Sequence, residues 1–372
     1  MAFLQTALVI LIAFGILFGA HYALYISAVR LFAITSPAIK AALFIALAAL
    51  AVSFPFAMAF SQLRGDLVTR AAYFISTFWL GILTNMILAA AAIWVIVLLA
   101  RIMRLNAPTP FLAAAGLVLA LTYSVYGVWN ALHPRVKEIT VPIPGLPDVW
   151  RGKKIVQLSD LHLGHIFCDG FLDEVAEAVE GAHPDLIVVT GDLFDSMEGR
   201  DLSAYIDRID MLQAPHGTYF ITGNHETYVG VDKVRTTLSG THIRILEDQV
   251  VDIEGLKIIG LSYPERSSSK DVAATLKKLE SEYEGKANVL LYHAPTDIET
   301  FKKAGVNLQL SGHTHRGQIF PFRYITALIY KGYDYGLHTE GSYSIYTTSG
   351  TGSWGPLMRT GNRPEVVVIT LE

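Results

Sequence analysis

Hydrophobic and polar positions follow two unrelated rhythms along the chain. Up to position 134, charge-free runs extend over 1–29, 41–63, 71–100 and 105–134, each longer than the roughly 20 apolar residues that carry a helix across a bilayer. Polar and turn-forming residues gather at the junctions, at Ser36-Pro37, Arg64-Gly65-Asp66 and Asn106-Ala107-Pro108. Four transmembrane helices are predicted, at about 3–29, 41–62, 71–100 and 109–131. Helices buried in a soluble core keep a polar face, and these runs lack one. His21 and Asn85 are the main polar residues inside them, and interhelical hydrogen bonding is the favoured role for both.

After Arg135 the apolar runs shorten to four or five residues, the length of buried strands. They recur at 155–158, 186–189, 218–221, 288–291 and 306–310, separated by helical patterns at 171–179, near 201–213 and at 270–284. Such alternation predicts an α/β domain with much parallel pairing. An edge strand is expected at 136–141, beside Pro134 and Pro142. Further strand-like pieces at 249–253, 257–261, 344–348 and 365–371 suggest a second sheet with antiparallel pairing. The expected architecture is a two-sheet β-sandwich flanked by helices, preceded by an all-α four-helix transmembrane domain. Its two domains are 1–135 and 136–372.

Charge sharpens that boundary. Positions 1–135 hold seven basic residues and one acidic residue, and positions 136–372 hold 22 and 32, a net +6 against −10. A single soluble domain and full disorder are both excluded. With no basic residue before Arg30, the first run does not read as a cleaved signal peptide. Four crossings would place the amino terminus and the long carboxy-terminal domain on the same side of a cell membrane. Arg64, Arg70, Arg135 and Lys137 on one side balance Arg30, Lys40, Arg101 and Arg104 on the other, so the positive-inside rule does not choose the side. The single cysteine, Cys168, excludes an intramolecular disulfide framework.

Metal-competent side chains follow each of the five strands: Ser159-Asp160-Leu161-His162, Thr190-Gly191-Asp192, Thr222-Gly223-Asn224-His225-Glu226, Tyr292-His293 and Ser311-Gly312-His313-Thr314-His315. Loops at the carboxyl ends of strands in an open α/β sheet converge on one crevice. The five segments should therefore form one cluster of carboxylates, imidazoles and an amide. So many ligands exceed the needs of one ion and suit two that share a carboxylate.

Asp-x-His, Gly-Asp, Gly-Asn-His-Glu, His and Gly-His-x-His, in that order, resemble the calcineurin-like metallophosphoesterase superfamily. Ser159-Asp160-Leu161-His162-Leu163-Gly164, Gly312-His313-Thr314-His315-Arg316-Gly317-Gln318 and Gly352-Ser353-Trp354-Gly355-Pro356 are similar to its YkuE-like bacterial branch. Arg316 departs from that branch, which more often has glycine there. The resemblance implies one metal held by Asp160, His162, Asp192 and His315, and a second held by Asp192, Asn224, His293 and His313. Asp192 bridges the two. This donor mixture suits Mn, Fe or Zn.

Two such cations would generate a hydroxide for in-line attack on phosphorus. His225 is the candidate proton donor to the leaving group, with Asp195 orienting it. His165 and Arg316 are candidates for binding substrate, and Tyr228, Trp354 and Arg359 for lining the cleft, although packing suits Trp354 better. The leading expectation is a membrane-anchored phosphomonoesterase or phosphodiesterase, with a lipid-linked substrate favoured. A metal-dependent nuclease is disfavoured by the −10 balance. A non-enzymatic membrane sensor or scaffold is disfavoured because every expected ligand is present.

Overall fold

The computed structural model of the chain describes residues 2–63, 66–164, 169–195, 202–265 and 270–372. The chain divides into two compact units, Met1–Val128 with Gly355–Met358, and Trp129–Trp354 with Arg359–Glu372.

In the first unit, α1 (Ala2–Leu31), α2 (Pro37–Leu63), α3 (Leu67–Ile102) and α4 (Thr109–Leu132) are each long and apolar enough to cross a membrane. The helices outrun the charge-free runs because Lys40, Arg70 and Arg101 sit in or near their end turns, where a long basic side chain can reach water. Only 11 to 28% of each apolar stretch is buried. Surface so apolar requires a non-aqueous surrounding. His21 and Asn85 join helices, as hydrogen bonding between helices requires. Trp79 Nε1 on α3 donates to His21 Nε2 on α1 at 2.9 Å, and Asn85 Nδ2 on α3 donates to Ser124 Oγ on α4 at 2.9 Å.

The second unit is built from twelve strands: β1 (Arg135–Val141), β2 (Lys154–Leu158), β3 (Leu186–Val189), β4 (Thr218–Phe220), β5 (Ile243–Ile245), β6 (Gln249–Ile253), β7 (Leu256–Gly260), β8 (Asn288–Leu291), β9 (Leu308–Ser311), β10 (Gly336–Glu340), β11 (Tyr343–Thr347) and β12 (Glu365–Leu371). They form two six-stranded sheets, ordered β1-β12-β2-β3-β4-β5 and β10-β11-β9-β8-β7-β6. Seven helices accompany them: α5 (Asp169–Ala182), α6 (Ile206–Ile209), α7 (Asn224–Val229), α8 (Val231–Leu238), α9 (Val272–Tyr283), α10 (Ile298–Lys303) and α11 (Arg323–Ile329).

Alternation explains the layering. In β3, Leu186 and Val188 enter the cluster between the sheets with Ile155, Val289, Leu291, Leu310 and Val367. Alternate residues of β8 behave in the same way, since Leu290 turns to the outer face with Leu276 of α9 and Phe301 of α10. Both faces of these central strands are covered, which is why they read as continuous apolar runs.

Three expectations need correction. Strand β12 belongs to the first sheet, between β1 (parallel) and β2 (antiparallel), not to the second. Its run Val366 to Ile369 is buried throughout, and such a run carries no mark of which sheet receives it. The second sheet is mixed: β7, β8, β9 and β11 pair in parallel, with β6 and β10 antiparallel at its edges. Near 201–213 a 3-10 turn at Leu202–Tyr205 and the four-residue α6 replace a full helix. There the Tyr205 hydroxyl is committed to Gly164 O at 2.9 Å.

Leu291 is fully buried between the sheets. Leu291→Ala should lower stability by about 2–5 kcal/mol, measured by denaturation of the purified full chain against wild type; an unchanged midpoint would contradict this core assignment.

Candidate metal centre

The metal-competent side chains come from both sheets. Strands β2, β3 and β4 of one sheet and β8 and β9 of the other direct their carboxyl ends to the same edge of the sandwich. Gln157 ties that edge together, its Nε2 donating to Thr190 Oγ1 after β3 and to Ser311 O at the end of β9, each at 3.0 Å. The crevice thus spans two sheets, where the sequence suggested the strand ends of one open sheet.

Seven donor residues converge there in two sets. In the first, His162 Nε2 lies 3.0 Å from His315 Nε2, His315 Nε2 lies 3.4 Å from Asp160 Oδ1, and His162 Nε2 lies 3.8 Å from Asp192 Oδ2. In the second, His293 Nε2 lies 3.2 Å from each of Asp192 Oδ2, Asn224 Oδ1 and His313 Nδ1. Donors that bind one ion at roughly 2.0–2.2 Å and at right angles stand about 3 Å apart. Both sets fit a divalent cation, and the same oxygen of Asp192 belongs to both. His225 also lies within reach of His162 and Asp192, so this imidazole could join a ligand set as well as donate a proton.

The residues behind the donors explain their orientation. Asp192 Oδ1 accepts the backbone N–H of His225 at 2.9 Å, which leaves Oδ2 to face both sets. His293 Nδ1 lies 2.7 Å from Thr190 O, a contact that places its proton on Nδ1 and its lone pair at Nε2. Asp160 accepts the backbone N–H of His313 on both carboxylate oxygens, each at 3.0 Å. His225 Nδ1 lies 3.1 Å from Asp195 Oδ1.

Burial sets the electrostatics. It pushes the Asp160 carboxyl up to about 6 against the opposing charge of His293, and pulls His162 and His313 down to about 3 and about 4, a neighbouring histidine adding to each of these two. Burial also pulls down His293, but the Asp192 carboxylate beside it raises that imidazole to about 10. The reverse holds for Asp192, whose burial is outweighed by His293, so its carboxyl stays well below the usual range. Burial opposes the charge on His225 too, yet its contact with Asp195 raises it above the ordinary imidazole value. His162 and His313 are thus neutral, the state a metal ligand needs, whereas His293 holds a second proton against Asp192 that a bound cation would displace.

Two buried residues have roles that the sequence did not assign them. Glu226 is fully buried and accepts three backbone N–H groups, from Asp192 at 2.9 Å, Gly223 at 2.7 Å and Phe194 at 3.1 Å. It shapes the Asp192 turn from behind. Arg359, expected in the cleft lining, is instead wholly buried, with Nη2 3.1 Å from His315 Nδ1 and Nε 3.0 Å from Ser353 Oγ. Only the Gly-Asn-His-Glu spacing hinted at the first, and nothing near His315 in sequence pointed to the second.

The remaining candidates lie around the rim. Tyr228 and Trp354 face the His225 ring at centroid distances of 5.5 and 6.2 Å, and Tyr263 and Tyr330 each approach His313 at 6.1 Å. Trp354 is 53% exposed, which places it on the rim and corrects the expectation of a packing role. Arg316 stacks on the Tyr335 ring at 4.0 Å. His165 lies outside the described residues.

Residues 153–317 match the calcineurin-like phosphoesterase family model. An uncharacterized metallophosphoesterase of Campylobacter jejuni is 34% identical over 261 residues, covering 69% of this chain and 68% of that protein. The Bacillus subtilis metallophosphoesterase YkuE is 32% identical over 66% of this chain and 90% of its own. A transmembrane protein with a metallophosphoesterase domain from Danio rerio is 30% identical over 69% of this chain and 62% of its own.

Gly223 touches Asp192 so closely that a Cβ there would overlap the Asp192 carboxylate. Gly223→Ala should lower bound divalent metal in the purified full chain, read by elemental analysis; wild-type metal content would contradict this dependence on close approach.

Proposed function

The chain belongs to the calcineurin-like metallophosphoesterases, and from that premise we propose that it is a membrane-anchored dimetal hydrolase of phosphomonoesters or phosphodiesters. In this reading residues 1–135 are the anchor and 136–372 the hydrolase. The shared position of Asp192 Oδ2, 3.2 Å from one set's histidine and 3.8 Å from the other's, carries the reading. Asp160, His162 and His315 would hold one cation, Asn224, His293 and His313 the other, with Asp192 spanning both.

When bound, such cations supply Lewis acidity at the phosphoryl oxygens and an activated water nucleophile at neutral pH. Imidazole, carboxylate and amide donors without thiolate suit Mn, Fe or Zn. His225 holds the proton that the departing oxygen needs, and Asp195 fixes its ring by facing Nδ1. The half-buried Asn224 and His313 leave the second set more open than the first, so substrate enters from that side, past Tyr263 and Tyr330. The four apolar helices keep the reaction at a bilayer, which favours a lipid-linked phosphate ester.

Purified full-length protein, loaded with Mn²⁺, should hydrolyse an aryl phosphate or a bis-aryl phosphate. Protein carrying two metals that turns over neither would overturn the reading. Asp192→Ala should abolish activity and remove both metals, and full metal occupancy in that variant would refute its bridging role. His225→Ala should keep both metals but slow hydrolysis of esters with poor leaving groups by about 10²-fold or more. Loss of metal would instead make His225 a ligand.

A further inference from the structure

Helix α11 exposes large apolar side chains within a few residues of the proposed metal site. Leu328 is 81% exposed and Ile329 63%, and Tyr324 and Ile325 are exposed beside them. Positions 325, 328 and 329 share one helix face by their spacing. The opposite face is fixed: Thr326 Oγ1 donates to the buried Asp334 at 2.8 Å. The start of the helix presses on Gly317, where a Cβ would overlap Phe322 and the Arg323 amide. Exposure here is therefore held in place by packing at the other face.

The helix is joined to the site at both ends. His315-Arg316-Gly317 precedes it, and Tyr330, next after Ile329, meets the His313 ring. Arg323 and Lys331 flank the apolar face, and neither forms an ion pair among the described residues. Arg323 stacks on Tyr324 at 4.8 Å, and its Nη2 donates to the Tyr324 hydroxyl at 2.8 Å. Leucine and isoleucine facing outward, with tyrosine and two cations that no carboxylate pairs at the margin, are the composition of a segment that lies in the headgroup region of an anionic bilayer.

We propose that α11 docks on the lipid surface, and that the hydrolase thereby takes amphiphilic phosphate esters whose headgroup is presented from the bilayer beside Tyr330. The substrate part of this proposal rests on the phosphoesterase reading; the docking part does not.

The test uses the full chain in nanodiscs of phosphatidylcholine and phosphatidylglycerol. Cys168→Ser removes the one native cysteine. An environment-sensitive fluorophore is then attached at Leu328→Cys or, as reference, at Lys277→Cys, whose side chain is 75% exposed on α9. Spin-labelled lipid should quench position 328 by about half, as for a side chain roughly 5–10 Å inside the headgroup boundary, and leave position 277 unchanged. Equal quenching at the two positions overturns the docking. So does an apolar signal at 328 without lipid quenching, which would mean that a protein partner or a second copy covers the helix.

In the same nanodiscs the double variant Leu328→Glu, Ile329→Glu should lower the ratio of turnover on phosphatidic acid or phosphatidylglycerol to turnover on a soluble aryl phosphate by about tenfold or more. An unchanged ratio overturns the substrate assignment. Wild-type protein inactive on every substrate would sink the phosphoesterase reading, while the quenching still decides the docking.

Discussion

The Asp192 carboxylate is the constraint on which the rest of the site depends. One oxygen is occupied by the His225 amide, and the other stands between His293 and His162. A carboxylate so placed cannot rotate without losing a hydrogen bond, and its own amide is held by the buried Glu226. Loops after β2, β3, β4, β8 and β9 gain a common centre only because this group faces all of them. The Gln157 amide does the same work at the level of the sheets, by fixing the edges of two separate layers at one height.

Backbone conformation shows what this convergence costs. Asp160, His162, Asp192, His313 and His315 all have positive φ, from 48° to 71°. For residues other than glycine such conformations cost of order 1–3 kcal/mol each. Asp and His tolerate them better than branched residues do, which is a local reason for these residue types, independent of their chemistry. Left-handed turns at strand ends swing each side chain back over the sheet edge. The strain is concentrated where the donors meet.

Much of this was legible in the chain. The four apolar runs, ten of the twelve described strands and the order of the metal-competent residues could all be read locally, because each depends on short-range periodicity or on a motif a few residues long. The placement of β12 could not, since an all-apolar strand fits either sheet. Arg359 was expected in the cleft lining for a related reason: its neighbours in sequence give it no buried partner, and only the long-range approach of His315 does. Arg316 was noted for its unusual position in the motif, and its guanidinium lies on Tyr335, a ring that sequence adjacency could not have supplied.

The position of β12 also bears on how the protein is made. Strand β1 follows the last membrane helix, yet its partner is β12, more than two hundred residues later. Pairing at that separation carries a large loop-closure entropy and is slow to form. Until residues 365–371 have left the ribosome, β1 and β2 lack the strand that lies between them, so the first sheet waits incomplete.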